Sequence, residues 1–430
     1  MQTALLGFLA VFTLAFIGLP LGYTLLVVGV VGFASFRGWD AALAMASQQV
    51  LDIGMSHGLS VIPLFVLMGA FIFRSGIADD LFGTAQRWLG GFRGGLAQAT
   101  LAASGGFGAV SGSSLATAAT MTRVAVPEMR RHGYDPAFAG ATVAAGGTIG
   151  MLIPPSVPMV IFGILTETDI GQLFAAGVLP GILLMLLYMV AVQITARWQP
   201  VKMGGVSRAT WAERWSSLQH VLPVLVLFVF VFGGLYLGVF TPTESAGIGA
   251  AGALVLMALR RRANWSNVRA ALWEAAELTA ILIPVTIGAA VFGNFLTMTG
   301  LTYQAAEAIQ ALQLSPLGVV IAMCVVYIVL GCVFDSLAML FLTLPIFFPI
   351  ISQLGLDPIW FGIVVMIVVE LGLITPPVGM NVFVVKGLLN DIDTWRIFQN
   401  MALYVVAGFA CLGLVLAFPD IATWLPSLMR

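Results

Sequence analysis

Ser113-Ser114-Leu115-Ala116, Gly133-Tyr134-Asp135-Pro136 and Gly150-Met151-Leu152-Ile153-Pro154-Pro155 recur as Asp335-Ser336-Leu337-Ala338, Gly355-Leu356-Asp357-Pro358 and Gly372-Leu373-Ile374-Thr375-Pro376-Pro377, all at one offset of 222 positions. Pro127 and Gly140 keep the same register as Pro349 and Gly362, so residues 113–162 and 335–384 are two gap-free copies of one segment. Chance does not hold that many helix breakers in register across 222 positions. In an apolar chain, a long-period duplication centred on Gly and Pro marks secondary transporters, whose sites form where repeated, discontinuous helices meet near the bilayer midplane.

Composition selects lipid as the solvent. Hydrophobic residues make up 60% of the 430-residue chain and charged residues 9%, with a mean hydropathy of +1.04. Most of the surface must therefore face lipid or another apolar helix. A chain of this length can supply roughly ten spans of about 20 residues each. The net charge of −1 says nothing about nucleic acid, because the basic residues are scattered through loops and form no patch. Cys324, Cys332 and Cys411 stand singly in apolar runs, as small packing residues rather than a disulfide or metal framework. His57, His132 and His220 are isolated, and no nucleophile motif, phosphate loop or metal cluster argues for enzyme chemistry. Met1-Gln2-Thr3-Ala4 lacks the cationic start of a cleaved signal, so the first apolar stretch is expected to stay as a membrane helix.

Ordinary spans are expected at about 4–19, 21–36, 59–75, 172–196, 221–239, 244–259, 272–298 and 400–425. The duplicated regions read differently. Apolar half-spans at 95–110 and 316–331 meet a polar kink and return through 114–130 and 336–351, which predicts two re-entrant helical hairpins. Downstream, 136–165 and 358–389 are long apolar helices expected to unwind at Pro-Pro, because proline removes a backbone donor and clashes with the preceding turn. Residues 198–220, with Trp198, Lys202, Arg208, Trp211, Arg214 and Trp215, suit an amphipathic interfacial helix joining the halves.

Positive charges orient the chain. Loops carrying Arg197, Lys202, Arg208 and Arg214, and Arg260, Arg261, Arg262 and Arg269, are expected on the cytoplasmic side. Counting from them leaves Arg37 and Arg430 outside, places both termini on the periplasmic side, and runs the two broken helices in opposite directions. The repeats are thus predicted to be inverted.

The first tip, Ser104-Gly105-Gly106-Phe107-Gly108-Ala109-Val110-Ser111-Gly112-Ser113-Ser114, combines sharp turns with free amides, carbonyls and hydroxyls. It can hold an anion on amides or a small hard cation on oxygens; close helix packing explains its glycines but not four serines at a break. The second tip, Gly331-Cys332-Val333-Phe334-Asp335-Ser336, places a carboxylate deep in the chain, an expensive feature that points to function. Asp335 can ligate sodium, accept a hydrogen bond from substrate, or cap the half-helix that begins at about Leu337. At the two breaks, Thr148, Ser156, Thr375 and Asn381 set side-chain oxygens beside carbonyls freed by unwinding, enough for the five or six oxygen ligands of a sodium ion. Glu370 aligns with Thr148 and either titrates or pairs with a neighbour. Arg123 can offset an anionic substrate or snorkel to the interface. Glu128 and Arg131 are spaced to pair on a helix, and Thr241-Pro242-Thr243-Glu244 reads as a capped helix start.

The stretches Ser111-Gly112-Ser113-Ser114-Leu115-Ala116-Thr117-Ala118, Gly150-xxx-Pro154-Pro155-Ser156 and Glu370-Leu371-Gly372-Leu373-Ile374-Thr375-Pro376-Pro377-Val378-Gly379-Met380-Asn381 resemble the large membrane subunit of tripartite ATP-independent periplasmic (TRAP) transporters, over the whole chain. That resemblance implies an all-α polytopic fold of the bacterial cytoplasmic membrane, working as a sodium-driven elevator with Na+ as coupling ion and no other cofactor. It implies a scaffold (1–75, 171–298 and 391–430) and a transport domain built from 76–170 and 299–390. It also implies a small four-helix membrane (Q) subunit, a periplasmic substrate-binding (P) protein and an organic-acid substrate. The chain opens directly into the large-subunit pattern, so the small partner is expected as a separate protein. Carried over by position, the resemblance implies one sodium site at Ser113, Ser114, Thr148, Gly150 and Pro154, and another at Gly331, Gly372, Thr375 and Met380. Ser111, Ser113, Ser156, Asp335, Ser336 and Asn381 would face substrate. A self-sufficient anion symporter and an uncoupled channel are the alternatives.

Overall fold

The computed structural model describes residues 2–199, 209–301, 304 and 315–429, and among these every regular element is helical. The first half runs α1 (Gln2–Phe16), α2 (Leu21–Arg37), α3 (Trp39–Gly54), α4 (Val61–Arg74), α5 (Ile77–Leu89), α6 (Gly95–Ser111), α7 (Ser114–Arg131), α8 (Pro136–Leu152), α9 (Val157–Thr166) and α10 (Ile170–Trp198). The second runs α11 (Trp211–Tyr236), α12 (Pro242–Leu259), α13 (Trp265–Met298), α14 (Pro316–Gly331), α15 (Ser336–Gln353), α16 (Pro358–Ile374), α17 (Met380–Leu388), α18 (Thr394–Ala417) and α19 (Asp420–Ser427). The 222-residue offset carries α7 and α8 onto the bounds of α15 and α16, and it extends outward to pair α2 with α12 and α10 with α18. The 34-residue α13 stands where the first half has two helices, α3 and α4.

Matching residues cap matching helices. Asp135 accepts from the amides of Ala137 and Phe138 at 2.8 and 3.0 Å, and Asp357 from those of Ile359 and Trp360 at 2.7 and 3.1 Å. Each Asp-Pro pair thus supplies an N-cap acceptor and a first-turn residue that has no N–H to satisfy. Both Pro-Pro sites interrupt helices as expected: α8 stops at Leu152 and α9 starts at Val157, while α16 stops at Ile374 and α17 starts at Met380. The Pro154–Pro155 and Pro376–Pro377 bonds are both cis.

Packing interleaves the halves. The incoming and outgoing arms α6 and α7 pack on each other and on α8, and α14 and α15 do the same on α16. The short second pieces cross over, so that α9 lies on α15 and α17 on α7. Every residue of α8 after Pro136 and of α16 after Pro358 is buried, as helices apolar on all sides require. Around this centre α2 packs on α13, and α12 on α4, again as matched pairs. Small residues permit the first crossing: a Cβ on Gly22 would lie 2.7 Å from backbone atoms of Pro284 and Val285, so only glycine lets α13 come so close.

Seven helices among the described residues are long and apolar enough to cross a bilayer, or eight if α3 and α4 form one bent span, against the ten or so expected. One of the seven is the hairpin arm α15 and another counts α8 and α9 together across their break; the hairpin arms of 16–18 residues extend roughly 24–27 Å at 1.5 Å per residue, against a hydrocarbon core of ~30 Å. Two elements were not anticipated. α3 carries Asp40, Gln48, Gln49 and Asp52, too polar to read as a span, and α5 is amphipathic, burying Ile77, Ala78 and Phe82. The linker expectation is corrected. Residues 211–220 are the first turns of α11, continuous to Tyr236, and residues 200–208, with Lys202 and Arg208, lie outside the described part. The reason is tertiary: Trp211 and Trp215 pack edge-on against Trp88 of α5, whose indole nitrogen donates to the Arg214 carbonyl at 3.2 Å. Trp211 and Trp215 keep more than half of their surface exposed beside this contact, as does Trp198.

Smaller readings hold. Arg131 reaches Glu128 at 3.4 Å, and Thr241 and Glu244 form a reciprocal capping box at the start of α12. Two ion pairs tie the end of the first hairpin to the segment after α17. Arg130 donates to both oxygens of Asp391 at 2.9 and 3.0 Å, and Arg396 to Asp135 at 3.1 Å. The Arg130 hydrogen bond holds the exposed Asp391 carboxyl below its ordinary range. A carboxyl lowered by folding stabilises the fold above its unfolded value, about pH 4, and that contribution is lost as pH falls through the folded value. Asp391→Asn is therefore expected to lower the thermal midpoint slightly at neutral pH and low salt, with the two melting curves converging below that pH and in high salt. A gap that persists in acid would contradict the pairing.

Candidate substrate and ion site

Each hairpin tip meets the opened stretch of its own broken helix, and glycine makes the meeting possible. In the second half, a Cβ on Gly331 would lie 2.8 Å from Gly372 Cα, and one on Gly372 would lie 2.7 Å from Gly331 Cα. In the first half Gly108 and Gly150 cross in the same way, with Thr117 Oγ1 3.1 Å from the Cβ position of Gly150. Tip and break are also hydrogen-bonded. Val157 N donates to Gly112 O at 3.4 Å, and Cys332 Sγ donates to Pro376 O at 3.2 Å. The turns differ in length: Gly112 and Ser113 alone separate α6 from α7, whereas Cys332 to Asp335 separate α14 from α15. The glycine of the incoming arm sits one position out of the 222-residue register, Gly108 against Gly331, while Gly150 and Gly372 keep it.

Ser113 and Asp335 both cap the outgoing arm, accepting from Ala116 N at 3.4 Å and Ala338 N at 3.2 Å. Helix α15 begins at Ser336, one residue before the expected Leu337. Asp335 also borders a cavity of about 690 Å³ between this tip and the α2–α13 pair, lined by Gly22, Tyr23, Glu277, Pro284 and Phe341. Ser336, the first residue of α15, is half-buried and is not among the residues lining that cavity.

The remaining expected residues divide between the two junctions. Ser111 Oγ lies 2.8 Å from Thr117 Oγ1, and Gly112, Gly150, Pro154 and Ser156 are buried around the first junction, where Ser156 caps α9 through Met159 N at 3.4 Å. Gly331, Gly372, Thr375 and Met380 gather at the second, where the Thr375 hydroxyl donates to Leu371 O at 2.6 Å. The junctions are not equally open: Pro154, Pro155 and Ser156 are buried, while Pro376 and Pro377 are exposed. Thr148 turns away from the tip, donating to Ala145 O at 2.7 Å beside Tyr188 Oη at 3.0 Å. Asn381 is fully buried and donates to Ala144 O at 3.3 Å. The six anticipated substrate residues therefore do not surround one open cavity in this structure. Arg123 is exposed on α7, away from any ion pair among the described residues.

One contact escaped the sequence reading. Glu370 accepts a hydrogen bond from Ser114 Oγ, joining the C-terminal part of α16 to the opposite hairpin across 256 positions. Its isolation in an apolar helix was visible in the sequence; its partner carried no local signal.

Two interleaved repeats, each opening its backbone where a glycine-anchored tip meets a broken helix, define a polytopic secondary transporter of the inverted-repeat class. Two solved structures share the fold: the YdaH transporter of Alcanivorax borkumensis (TM-score 0.66, 14% identity, 89% of this chain and 88% of that one) and MtrF of Neisseria gonorrhoeae (TM-score 0.62, 13% identity, 88% and 85%). Residues 8–421 match the family model of the tripartite ATP-independent periplasmic transporter, DctM component, and the chain belongs to that family. It is similar to the C4-dicarboxylate TRAP transporter large permease protein DctM of Pseudomonas aeruginosa (36% identity, 88% of this chain and 87% of that one) and of Vibrio cholerae (31%, 100% and 98%). It is also similar to the ectoine TRAP transporter large permease protein TeaC of Halomonas elongata (30%, 96% and 97%). The protein is thus a multi-pass large permease of the TRAP type.

Proposed function

We propose that this chain drives sodium-coupled uptake of a small organic acid across the bacterial cytoplasmic membrane, as the large subunit of an assembly with a four-helix membrane (Q) subunit and a periplasmic binding (P) protein that delivers the substrate. The observation that carries this reading is the pair of matched junctions, in which backbone opened by Pro-Pro lies against a Gly/Ser-rich or Asp-bearing tip. Irregular backbone at membrane depth is tolerated where it lines a cavity or protein interior, and its free carbonyls are ligands for a hard cation.

Sodium is assigned to Ser113, Ser114, Thr148, Gly150 and Pro154 at the first junction, and to Gly331, Gly372, Thr375 and Met380 at the second. Substrate is assigned to Ser111, Ser113, Ser156, Asp335, Ser336 and Asn381. Asp335, itself an anion, would accept hydrogen bonds from substrate hydroxyl or amine groups, while bound sodium neutralises the substrate carboxylate. In the elevator reading, residues 76–170 and 299–390 move as one body against a scaffold of 1–75, 171–298 and 391–430. The buried first junction and exposed second junction are what one end state of alternating access would present. Both termini are assigned to the periplasmic side.

The named relatives transport C4-dicarboxylates and ectoine, so the substrate test starts with those two classes. The experiment is uptake into proteoliposomes holding this chain and its membrane partner, with the binding protein supplied outside. Flux that collapses without an inward sodium gradient supports the proposal. Flux indifferent to sodium would point to an uncoupled channel, and uptake by this chain alone would support the self-sufficient symporter.

A further inference from the structure

Glu370 lies in one of the two fully enclosed helices among the described residues and is 1% exposed. Its Oε1 accepts from Ser114 Oγ, its Oε2 has no hydrogen-bond donor, and no basic side chain pairs with it among the described residues. Asn381, wholly buried, spends its amide N–H on Ala144 O, and its Oδ1 also lacks a donor. Gly147 of α8 marks where these groups converge. A Cβ there would lie 2.8 Å from Ser114 O and 3.2 Å from Asn381 Nδ2. Elements α7, α8, α16 and α17, two from each repeat, are thus linked through Ser114, which reaches Glu370 by its hydroxyl and lies with the Asn381 amide against Gly147. Everything unsatisfied at this point is an acceptor.

A buried carboxylate without a counter-charge is among the most costly groups a fold can hold, and buried acceptors without donors add to that cost. A hard monovalent cation answers both demands at once, because it neutralises the carboxylate and takes oxygen from several acceptors. We infer that the Glu370–Ser114–Asn381 junction is a further sodium site, adjoining the first tip-and-break junction through Ser114 and bridging the repeats. It rests on the sodium-coupled reading above. The two junction sites each lie within one repeat; this one ties hairpin α6–α7 to the broken helix of the other half, so its occupancy would make the two repeats move together.

The test is the number of ²²Na+ ions bound at saturation by the purified full chain in lipid nanodiscs. Glu370→Gln keeps the shape and removes the charge, and it is expected to bind one sodium fewer per chain than the native protein while retaining the others. Asn381→Ala, which leaves the carboxylate in place, is expected to raise the sodium midpoint for thermal stabilisation roughly tenfold or more, and it carries the test if the first variant fails to fold. An unchanged sodium count in Glu370→Gln, or an unchanged midpoint in Asn381→Ala, overturns the site and leaves sodium coupling standing. A native protein indifferent to sodium overturns both readings. Stabilisation of the native protein by acid but not by sodium, absent in Glu370→Gln, would assign the charge to a proton and overturn the sodium assignment.

Discussion

Asp335→Ser is expected to abolish sodium-dependent uptake while leaving the protein as stable as the native form. Serine is what the first repeat carries at the equivalent position, where Ser113 caps α7 through Ala116 N. The substitution therefore preserves an N-cap acceptor and removes only the carboxylate that borders the cavity beside α2 and α13. Asp335→Ala removes both, and its additional cost is the lost cap, about 1 kcal/mol. The two variants separate the roles. If capping is the whole function, serine transports normally and alanine loses only stability; if the charge faces substrate or ion, both fall to background uptake, at least tenfold below native. Uptake in proteoliposomes with the binding protein present, read beside thermal unfolding, decides between these outcomes. Normal flux in Asp335→Ser would remove Asp335 from the transport site. Thr375→Ala belongs in the same series, because its hydroxyl returns to Leu371 O and the variant probes whether that bond or the backbone beside it matters.

What the sequence disclosed and what it withheld follow from where each feature is encoded. The Asp-Pro caps, the Pro-Pro breaks and the Ser or Asp at each tip act within a few residues of themselves, so local chemistry names them and the duplication confirms their register. Residues 211–220 read as a separate linker helix because their tryptophans and arginine are polar-edged and local; that they are the first turns of α11, seated on Trp88 of α5, depends on a partner more than a hundred positions away. α3 escaped because a helix with two aspartates and two glutamines has no apolar window to betray it. The crossover of α9 onto α15 and of α17 onto α7 depends on the whole bundle. Glu370 shows the boundary clearly. Its burial could be anticipated from an apolar helix, yet Ser114 comes to it from the opposite hairpin, an element that no spacing rule connects. The local repeat could be read, but not the interlocking of its two copies.

That interlocking makes the glycine crossings the points of largest leverage. Gly372→Ala is expected to destabilise the protein by about 1–3 kcal/mol, the usual range for overpacking, and to abolish sodium-dependent uptake. The added methyl would lie 2.7 Å from Gly331 Cα and 3.0 Å from its carbonyl carbon, both backbone atoms, so no flexible side chain can swing aside. Tip and break must separate, and the oxygens proposed above to hold an ion would separate with them. Gly150→Ala should act alike on the first junction, where Gly108 Cα stands 2.7 Å from the new methyl. Gly247→Ala is the control. No atom lies within 4 Å of its Cβ position on α12, and replacing an unstrained helical glycine typically gains about 0.5–1 kcal/mol, so that variant should melt slightly higher and transport normally. Sodium titrations monitored by thermal shift complete the comparison. If the tip-and-break junctions hold the coupling ions, both crossing variants shift the sodium midpoint upward before they unfold; if the crossings are packing alone, stability drops and the midpoint stays where it was.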